Sequence, residues 1–256
     1  MTKEYSNNGK KRICLVTGGG RGIGAAIAQQ LAQEGYRVVI NYYHSEEPSR
    51  QLADGLINNG CEVLTVQANI SQKEQVEAMF AFIKETWGVV DCLINNAGVS
   101  LYKMLIDTEE AEWQHIMDTN LKSVYLCSKY ALPSMIAQRW GRIINISSVW
   151  GLTGASCESI YAASKGGMIA LSKSLAAEYG AFGINVNAIA PGAIATDMLS
   201  NDLNTQEIHN LIDEIPAGRL GKADDIAAAC VFFLSSGADY INGQVIAVDG
   251  GWKRGL

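Results

Sequence analysis

Short runs of consecutive apolar residues alternate along this chain with longer stretches of helical periodicity. The runs are Ile13–Thr17, Val38–Ile40, Val63–Val66, Cys92–Ile94, Ile143–Ile146, Ile184–Ile189 and Val245–Val248. An unbroken apolar run of this length reads as a strand buried on both faces. The helical stretches are Ala25–Glu34 and residues 49–59, 72–86, 109–137, 160–180 and 222–234. Alternation of strand and helix predicts a parallel sheet covered by helices on both sides. We therefore expect an α/β fold, doubly wound, with seven parallel strands. Residues 1–11 are polar and read as a mobile tail, and residues 12–256 as one domain. One irregular stretch, about 193–217, is polar and acidic and follows the sixth strand.

Composition narrows the class. With 256 residues and 48% apolar content, the chain suits a single domain with a substantial core. No apolar run approaches the ~20 residues that span a bilayer, and the N-terminus lacks the apolar core of a signal peptide. A cytoplasmic protein without membrane contact is expected. The net charge of −6 argues against nucleic acid. The six cysteines show neither a CxxC pair nor metal-ligand spacing, so no metal is expected. Cys14 and Cys92 fall inside predicted strands and read as core thiols in a reducing compartment.

Two motifs carry chemistry. The first strand runs into Gly18-Gly19-Gly20-Arg21-Gly22-Ile23-Gly24, then a helix and a second strand. Glycines let the backbone approach a pyrophosphate, and the helix N-terminus offers free N–H groups to that anion. In this context the loop predicts a Rossmann-type dinucleotide site. The second motif is Tyr161 and Lys165, four apart in a helical stretch and so on one face. A phenol beside an ammonium is suited to moving a proton, because a nearby cation favours the phenolate. Ser148 ends the strand before them, where a hydroxyl can enter the crevice of an α/β sheet.

Read together, these motifs resemble the short-chain dehydrogenase/reductase family over about residues 10–252. Thr17-Gly-x-x-x-Gly22-x-Gly24 matches its cofactor signature, and Asn95-Asn96-Ala97-Gly98 its turn after the fourth strand. Asn120, Ser148, Tyr161 and Lys165 match its catalytic tetrad in order and spacing. Pro191-Gly192 followed by Thr196 matches the loop that closes over the nicotinamide. The resemblance implies a nicotinamide-dependent oxidoreductase and a homotetramer. The helices at 109–137 and 160–180 carry apolar residues beyond one core stripe, as interface helices do, and Gly250-Gly251-Trp252 puts an aromatic near the end where relatives meet a partner subunit. It also implies that Thr17, Gly18, Gly20, Arg21, Gly22, Ile23, Gly24, Asn96, Ala97, Gly98, Ile194 and Thr196 contact the cofactor, with Tyr161 and Lys165. Tyr161 is the expected general acid, with Lys165 lowering its pKa. Ser148 is expected to hold the substrate oxygen, and Asn120 a water linked to Lys165. The stretch 193–217 is expected to cover the substrate crevice.

The second strand ends in Asn41-Tyr42-Tyr43-His44, with no acid to bind a ribose 2′-hydroxyl. Together with Arg21 and His44 this favours NADP(H) over NAD, with Asn41 and His44 expected to contact the cofactor. Asn69 and Ile70, after the third strand, are expected against the adenine, the amide serving as donor and acceptor. Within the family the chain looks most like bacterial 3-oxoacyl-carrier-protein reductases. One departure is Phe182, where those reductases usually present a second carrier-docking arginine beside the one matching Arg139. Trp150, Cys157 and Glu158, between Ser148 and Tyr161, are expected near the substrate. A small-molecule or thioester ketone is the expected substrate. The alternatives are another ketone, such as one on modified elongation factor P, a steroid, a sugar or a small ketone, or a catalytically silent NADP-binding regulator.

Overall fold

Seven strands pair side by side, all parallel, in the order β5-β4-β3-β6-β7-β8-β9. They are β3 (Ile13–Val16), β4 (Arg37–Tyr42), β5 (Val63–Gln67), β6 (Cys92–Asn95), β7 (Gly141–Ile146), β8 (Ile184–Pro191) and β9 (Val245–Val248). The computed structural model describes residues 6–7, 10–196, 199 and 205–252. The expected tail lies partly outside the described residues. Within it, β1 (Ser6–Asn7) pairs antiparallel with β2 (Lys10–Lys11), a ribbon the apolar pattern gave no signal for.

Every residue of β3, β6, β7 and β8 is buried, which is why these strands read as largely apolar runs, with Asn95, Arg142, Asn145, Asn185 and Asn187 as their buried polar members. Two apolar cores fill the faces. One packs α1 (Gly22–Gln33) and α9 (Ala223–Leu234) against residues such as Cys14, Val16 and Ile144. The other packs α3 (Lys73–Thr86), α5 (Ser123–Gln138) and α7 (Ser159–Tyr179) against Leu15, Leu93 and Ile143. All six cysteines are free, and Cys14 and Cys92 are buried as expected of core thiols. Among the described residues no helix is long and apolar enough to cross a membrane, and no His, Cys, Asp and Glu group could hold a metal ion.

Helix boundaries differ from the pattern in instructive places. The first helix begins at Gly22, not Ala25, so two loop glycines form its opening turn. The second, α2 (Glu46–Asn58), starts three residues early because Pro48 sits in the first turn, where its missing N–H costs nothing. The single helix expected over 109–137 is broken. It consists of α4 (Glu110–Met117), a π-helical turn at Asp118–Lys122, and α5. A four-residue helix, α6 (Trp150–Thr153), follows the β7 loop. In the stretch expected to cover the crevice, α8 spans Thr205–Glu214. The rest of that stretch at 197–198 and 200–204 lies outside the described residues.

The order of strands across the sheet reverses between β3 and β6, because β3 leads outward to β4 and β5 before β6 returns to its other side. Open α/β sheets bind ligands at the carboxyl ends of strands at such a point. The glycine loop, Asn96–Gly98, Ser147–Ser148 and Pro191–Gly192 all lie at those ends.

Candidate active site

The glycine loop leaves β3 through Thr17, whose buried hydroxyl organises two strands. Its Oγ1 accepts from Asn96 N (3.0 Å) and Ala97 N (3.1 Å) and donates to Ile94 O (3.3 Å). The Asn96 amide donates to Thr17 O (3.0 Å) and Gly18 O (3.1 Å). Thr17 and Asn96 therefore spend their side chains on holding the loop. Gly18 and Gly22 have left-handed backbones, at φ 60° and 54°. A Cβ on Gly24 would stand 2.3 Å from Gly18 O and 2.5 Å from Asn96 Nδ2. No side chain caps α1, whose N-cap is Arg21. A bare helix N-terminus framed by glycines fits the pyrophosphate of a dinucleotide.

At the β4 end, Asn41 lies inside the strand rather than at its tip. Its Nδ2 donates to Ala68 O (3.1 Å) and its backbone O accepts from Gly19 N (3.0 Å). His44 is exposed, its ring centroid 4.0 Å from that of Tyr43. Ser45, the residue before α2, reaches the glycine loop: its Oγ would be 2.9 Å from a Cβ on Gly20. We did not single it out from the sequence, although a serine before two glutamates is an N-cap signature. Glu46 is turned onto Arg50 (2.7 Å), and Glu47 accepts from Gln51 (2.7 Å). Arg21 is exposed and has no ion pair among the described residues. In the loop after β5, Asn69 Oδ1 accepts from Ser71 N (3.0 Å) and Ser71 Oγ (2.8 Å), while Ile70 is buried. The acceptor face of that amide is thus committed to its own turn.

The tetrad converges. The half-buried Tyr161 phenol has Ser148 near enough to act on its pKa. Lys165 lies on the same face of α7, its Nζ 5.7 Å from the Tyr161 ring centroid, donating to Ile146 O at 2.8 Å. Burial pushes the phenol up to about 12; Ser148 opposes this and Glu158 adds to it. Burial also takes the Lys165 ammonium down to about 8. The expected lowering of the phenol by Lys165 is therefore not met in this arrangement. The ammonium is aimed at a strand carbonyl, and desolvation dominates both groups.

Asn120 differs from expectation too. Its Oδ1 accepts from Val99 N (2.8 Å), and its Nδ2 donates to Val99 O (2.9 Å) and Ser164 Oγ (3.1 Å). The side chain is occupied in fixing the π-helical turn, so a water would have to use a backbone carbonyl there. Such turns leave the ordinary helix ladder locally unpaired and recur at functional sites. Ser164, unmarked in the sequence, also donates to Tyr161 O (2.7 Å) and so joins the turn to α7. Gly98 lies against both groups: a Cβ there would be 3.2 Å from Asn120 Oδ1 and 3.3 Å from Lys165 Nζ.

The loop after β8 closes the arrangement. Pro191 O accepts from Val149 N (3.0 Å), and Ile194 bridges Gly221. Thr196 Cγ2 would be 3.6 Å from a Cβ on Gly22, so this loop reaches over the glycine loop. Of the expected substrate residues, Trp150 donates its backbone N–H to Ser148 Oγ (3.2 Å). Cys157 is half-buried with φ 61°, and its carbonyl accepts from Lys103 N (2.6 Å). Tyr102, which the sequence did not flag, borders the same spot: its phenol is held up by Cys157 first, then by burial and by Glu158 and Glu207. Glu158 is the residue before α7.

Residues 18–253 match the protein family described as enoyl-(acyl carrier protein) reductase. The 3-oxoacyl-(acyl-carrier-protein) reductase of Staphylococcus aureus is 43% identical over 243 residues, covering 94% of this chain and 97% of that protein. Its namesake from Haemophilus influenzae is 44% identical over 240 residues, covering 94% and 97%. A solved structure from Agrobacterium tumefaciens, provisionally assigned as a gluconate dehydrogenase, superposes with a TM-score of 0.92 at 35% identity. It covers 96% of this chain and 97% of that one.

Proposed function

Given that the chain belongs to the short-chain dehydrogenase/reductase family and is an oxidoreductase acting on CH–OH groups, we propose that it is an NADPH-dependent ketoreductase working on 3-oxoacyl thioesters or similar ketones. The observation that carries this reading is the convergence of Ser148, Tyr161 and Lys165, with Gly98 packed against Lys165 and Asn120. A bound reduced nicotinamide dinucleotide supplies the hydride. Ser148 holds the substrate oxygen near the phenol, and Tyr161 gives its proton to the forming alkoxide. A phenol pushed up to about 12 is fully protonated at neutral pH, the state a donor needs. A donor aimed at oxygen favours C=O reduction over the C=C reduction in the matched family's description. Lys165, which burial keeps near neutral titration, replaces the proton and offers a donor to the nicotinamide ribose.

NADPH is favoured by the environment of the β4 end. No acid directly follows Tyr42, the nearest two are turned back along α2, Arg21 is exposed, and Ser45 reaches the neighbouring Gly20. A 2′-phosphate meets a cation, a hydroxyl and the N-terminus of α2 there. We also propose a homotetramer, supported by exposed apolar groups on two separate faces. These are Trp113 and Tyr125 on α4 and α5, and Phe232 and Ile246 on α9 and β9.

Loss of nicotinamide absorbance with a panel of ketones tests the reading. Turnover of oxoacyl thioesters with NADPH, lost by about a hundredfold or more in Tyr161→Phe while NADPH still binds, is the expected result. NADPH binding without turnover of any ketone would instead favour the silent regulator. Light scattering that gives only the monomer mass at micromolar concentration would defeat the tetramer.

A further inference from the structure

We propose that Trp252, far from the tetrad in sequence, is a positioning residue for Ser148, acting through Trp150 at a junction of three loops. The inference rests on the ketoreductase reading of the site. The segment Asp249–Trp252 follows β9 and touches the loop after β8, the turn after α8 and the short α6. Gly192, in the loop after β8, packs so closely on Asp249 that a Cβ would stand 2.7 Å from that residue's own Cβ. Gly250, at φ 65°, accepts from Ala217 N (3.1 Å), and a Cβ on it would stand 2.9 Å from Ala217 Cβ and 3.0 Å from Ile215 Cγ2. Trp252 Nε1 donates to Glu214 Oε2 (3.1 Å), at the end of α8. The indole then meets Trp150 edge to face, with ring centroids 5.0 Å apart at 63°.

Trp150 passes this contact on. Its backbone N–H donates to Ser148 Oγ (3.2 Å), the hydroxyl that also acts on the Tyr161 phenol. Its neighbour Gly151 seats α6 on the catalytic turn of α7: a Cβ on Gly151 would be 2.8 Å from the Lys165 carbonyl carbon. The short α6 has one turn of its own hydrogen bonds, so its placement depends on what holds its side chains. Edge-to-face aromatic pairs have a defined geometry that an aliphatic contact lacks. Trp252 thereby fixes the Trp150 ring, the ring fixes the start of α6, and α6 aims the serine. The Glu214 bond extends the same chain to α8.

Variants at Trp252, Glu214 and Trp150 and two readouts test this. Trp252→Ala loses both contacts, Trp252→Phe keeps the ring edge without the N–H, and Glu214→Ala removes the acceptor. We expect Trp252→Ala to lower kcat by about tenfold or more, the effect of a slightly misaimed group, with the NADPH Kd within about twofold. Trp252→Phe should restore kcat. It should match Glu214→Ala in raising the ketone KM by about threefold, the scale of one exposed hydrogen bond, and the double variant should be no worse than either. An unchanged kcat in Trp252→Ala, or an NADPH Kd that weakens in step with kcat, overturns the proposal, as does additivity in the double variant. The second readout needs no turnover. The Trp150–Trp252 pair should give a far-ultraviolet exciton couplet in circular dichroism that Trp252→Phe and Trp150→Phe abolish alike. A wild-type protein that turns over no ketone would fail the ketoreductase reading, and the couplet would then decide whether the junction exists. Its absence overturns our inference.

Discussion

Glycine to alanine should have opposite effects in two neighbouring helices, and the sign follows from space alone. Gly24 lies in the first turn of α1, where a Cβ would come within 2.3 Å of Gly18 O and 2.5 Å of Asn96 Nδ2. Both neighbours are backbone or a pinned amide, so neither yields cheaply. Overpacking of this kind costs about 1–3 kcal/mol. Displacing the Asn96 amide threatens its bonds to Thr17 O and Gly18 O, at about 1 kcal/mol each. Helix propensity returns about 1 kcal/mol. The net loss is about 2–4 kcal/mol, or roughly 6–12 °C in Tm for a chain of this size. Gly55, on the exposed side of α2, has nothing within 4 Å of a Cβ and an ordinary helical backbone. There the propensity term stands alone, so Gly55→Ala should be neutral or stabilising by up to about 1 kcal/mol. Thermal unfolding of both variants with and without NADPH is the assay. Gly24→Ala should also lose most of the stabilisation NADPH gives, because the pyrophosphate cradle moves with it. A Gly24→Ala protein as stable as the wild type, and still stabilised by NADPH, would refute the close approach.

Four further outcomes are expected. Lys165 is protonated less readily in the fold than in the unfolded chain, from 10.5 down to about 8. Between those pH values the unfolded state binds more protons, so its contribution to stability rises with pH across that window. Lys165→Met should therefore be more stable than wild type without cofactor below about pH 8, with a gap that closes toward 10.5; a pH-independent gap would contradict the buried charge. Tyr161, raised from 10.0 to about 12, has the opposite sign, so stability it contributes is lost as pH climbs from 10 through 12, which Tyr161→Phe should not show in pH-dependent unfolding. Arg21→Ala should erode the NADPH over NADH preference in kcat/KM and leave NADH activity nearly unchanged; a wild-type preference for NADH would sink the strand-tip argument. Arg139 donates to Ala181 O (3.1 Å), one residue from the exposed Phe182, so Phe182→Arg should rebuild a two-cation patch and raise salt-sensitive kcat/KM for a carrier-borne oxoacyl group but not for a small thioester.

What could be read in the sequence was whatever depends on burial or on local spacing. β3, β6, β7 and β8 are buried on both faces, so their apolar runs marked them without context. Tyr161 and Lys165 could be paired because a helix repeat fixes their relation whatever surrounds it. The break at Asp118–Lys122 could not be read. It is set by Asn120 bonding Val99 and Ser164, residues remote in the chain. The pKa order failed for the same reason: proximity predicts a lowered phenol, but the depth of Tyr161 and the aim of Lys165 at Ile146 O are tertiary facts. Ser45, Ser164 and Trp252 likewise acquire their roles only when separate loops meet.

The strand order has a consequence for how the protein is made. Synthesis completes β3, β4 and β5 first, and these can pair as soon as they emerge. β3 then waits for β6, its partner on the other side, until residue 95 has been added. From the end of β5 at Gln67 that interval is 28 residues, roughly 1.4–6 s at ~5–20 residues per second. Throughout it, Ile13-Cys14-Leu15-Val16 presents an open apolar edge at what will be the middle of the sheet. Contacts between such distant segments form slowly and leave edges available to other chains. The nascent chain is therefore most exposed to aggregation in its first half, and a chaperone that shields the segment around β3 would raise the yield more than one acting on the finished domain.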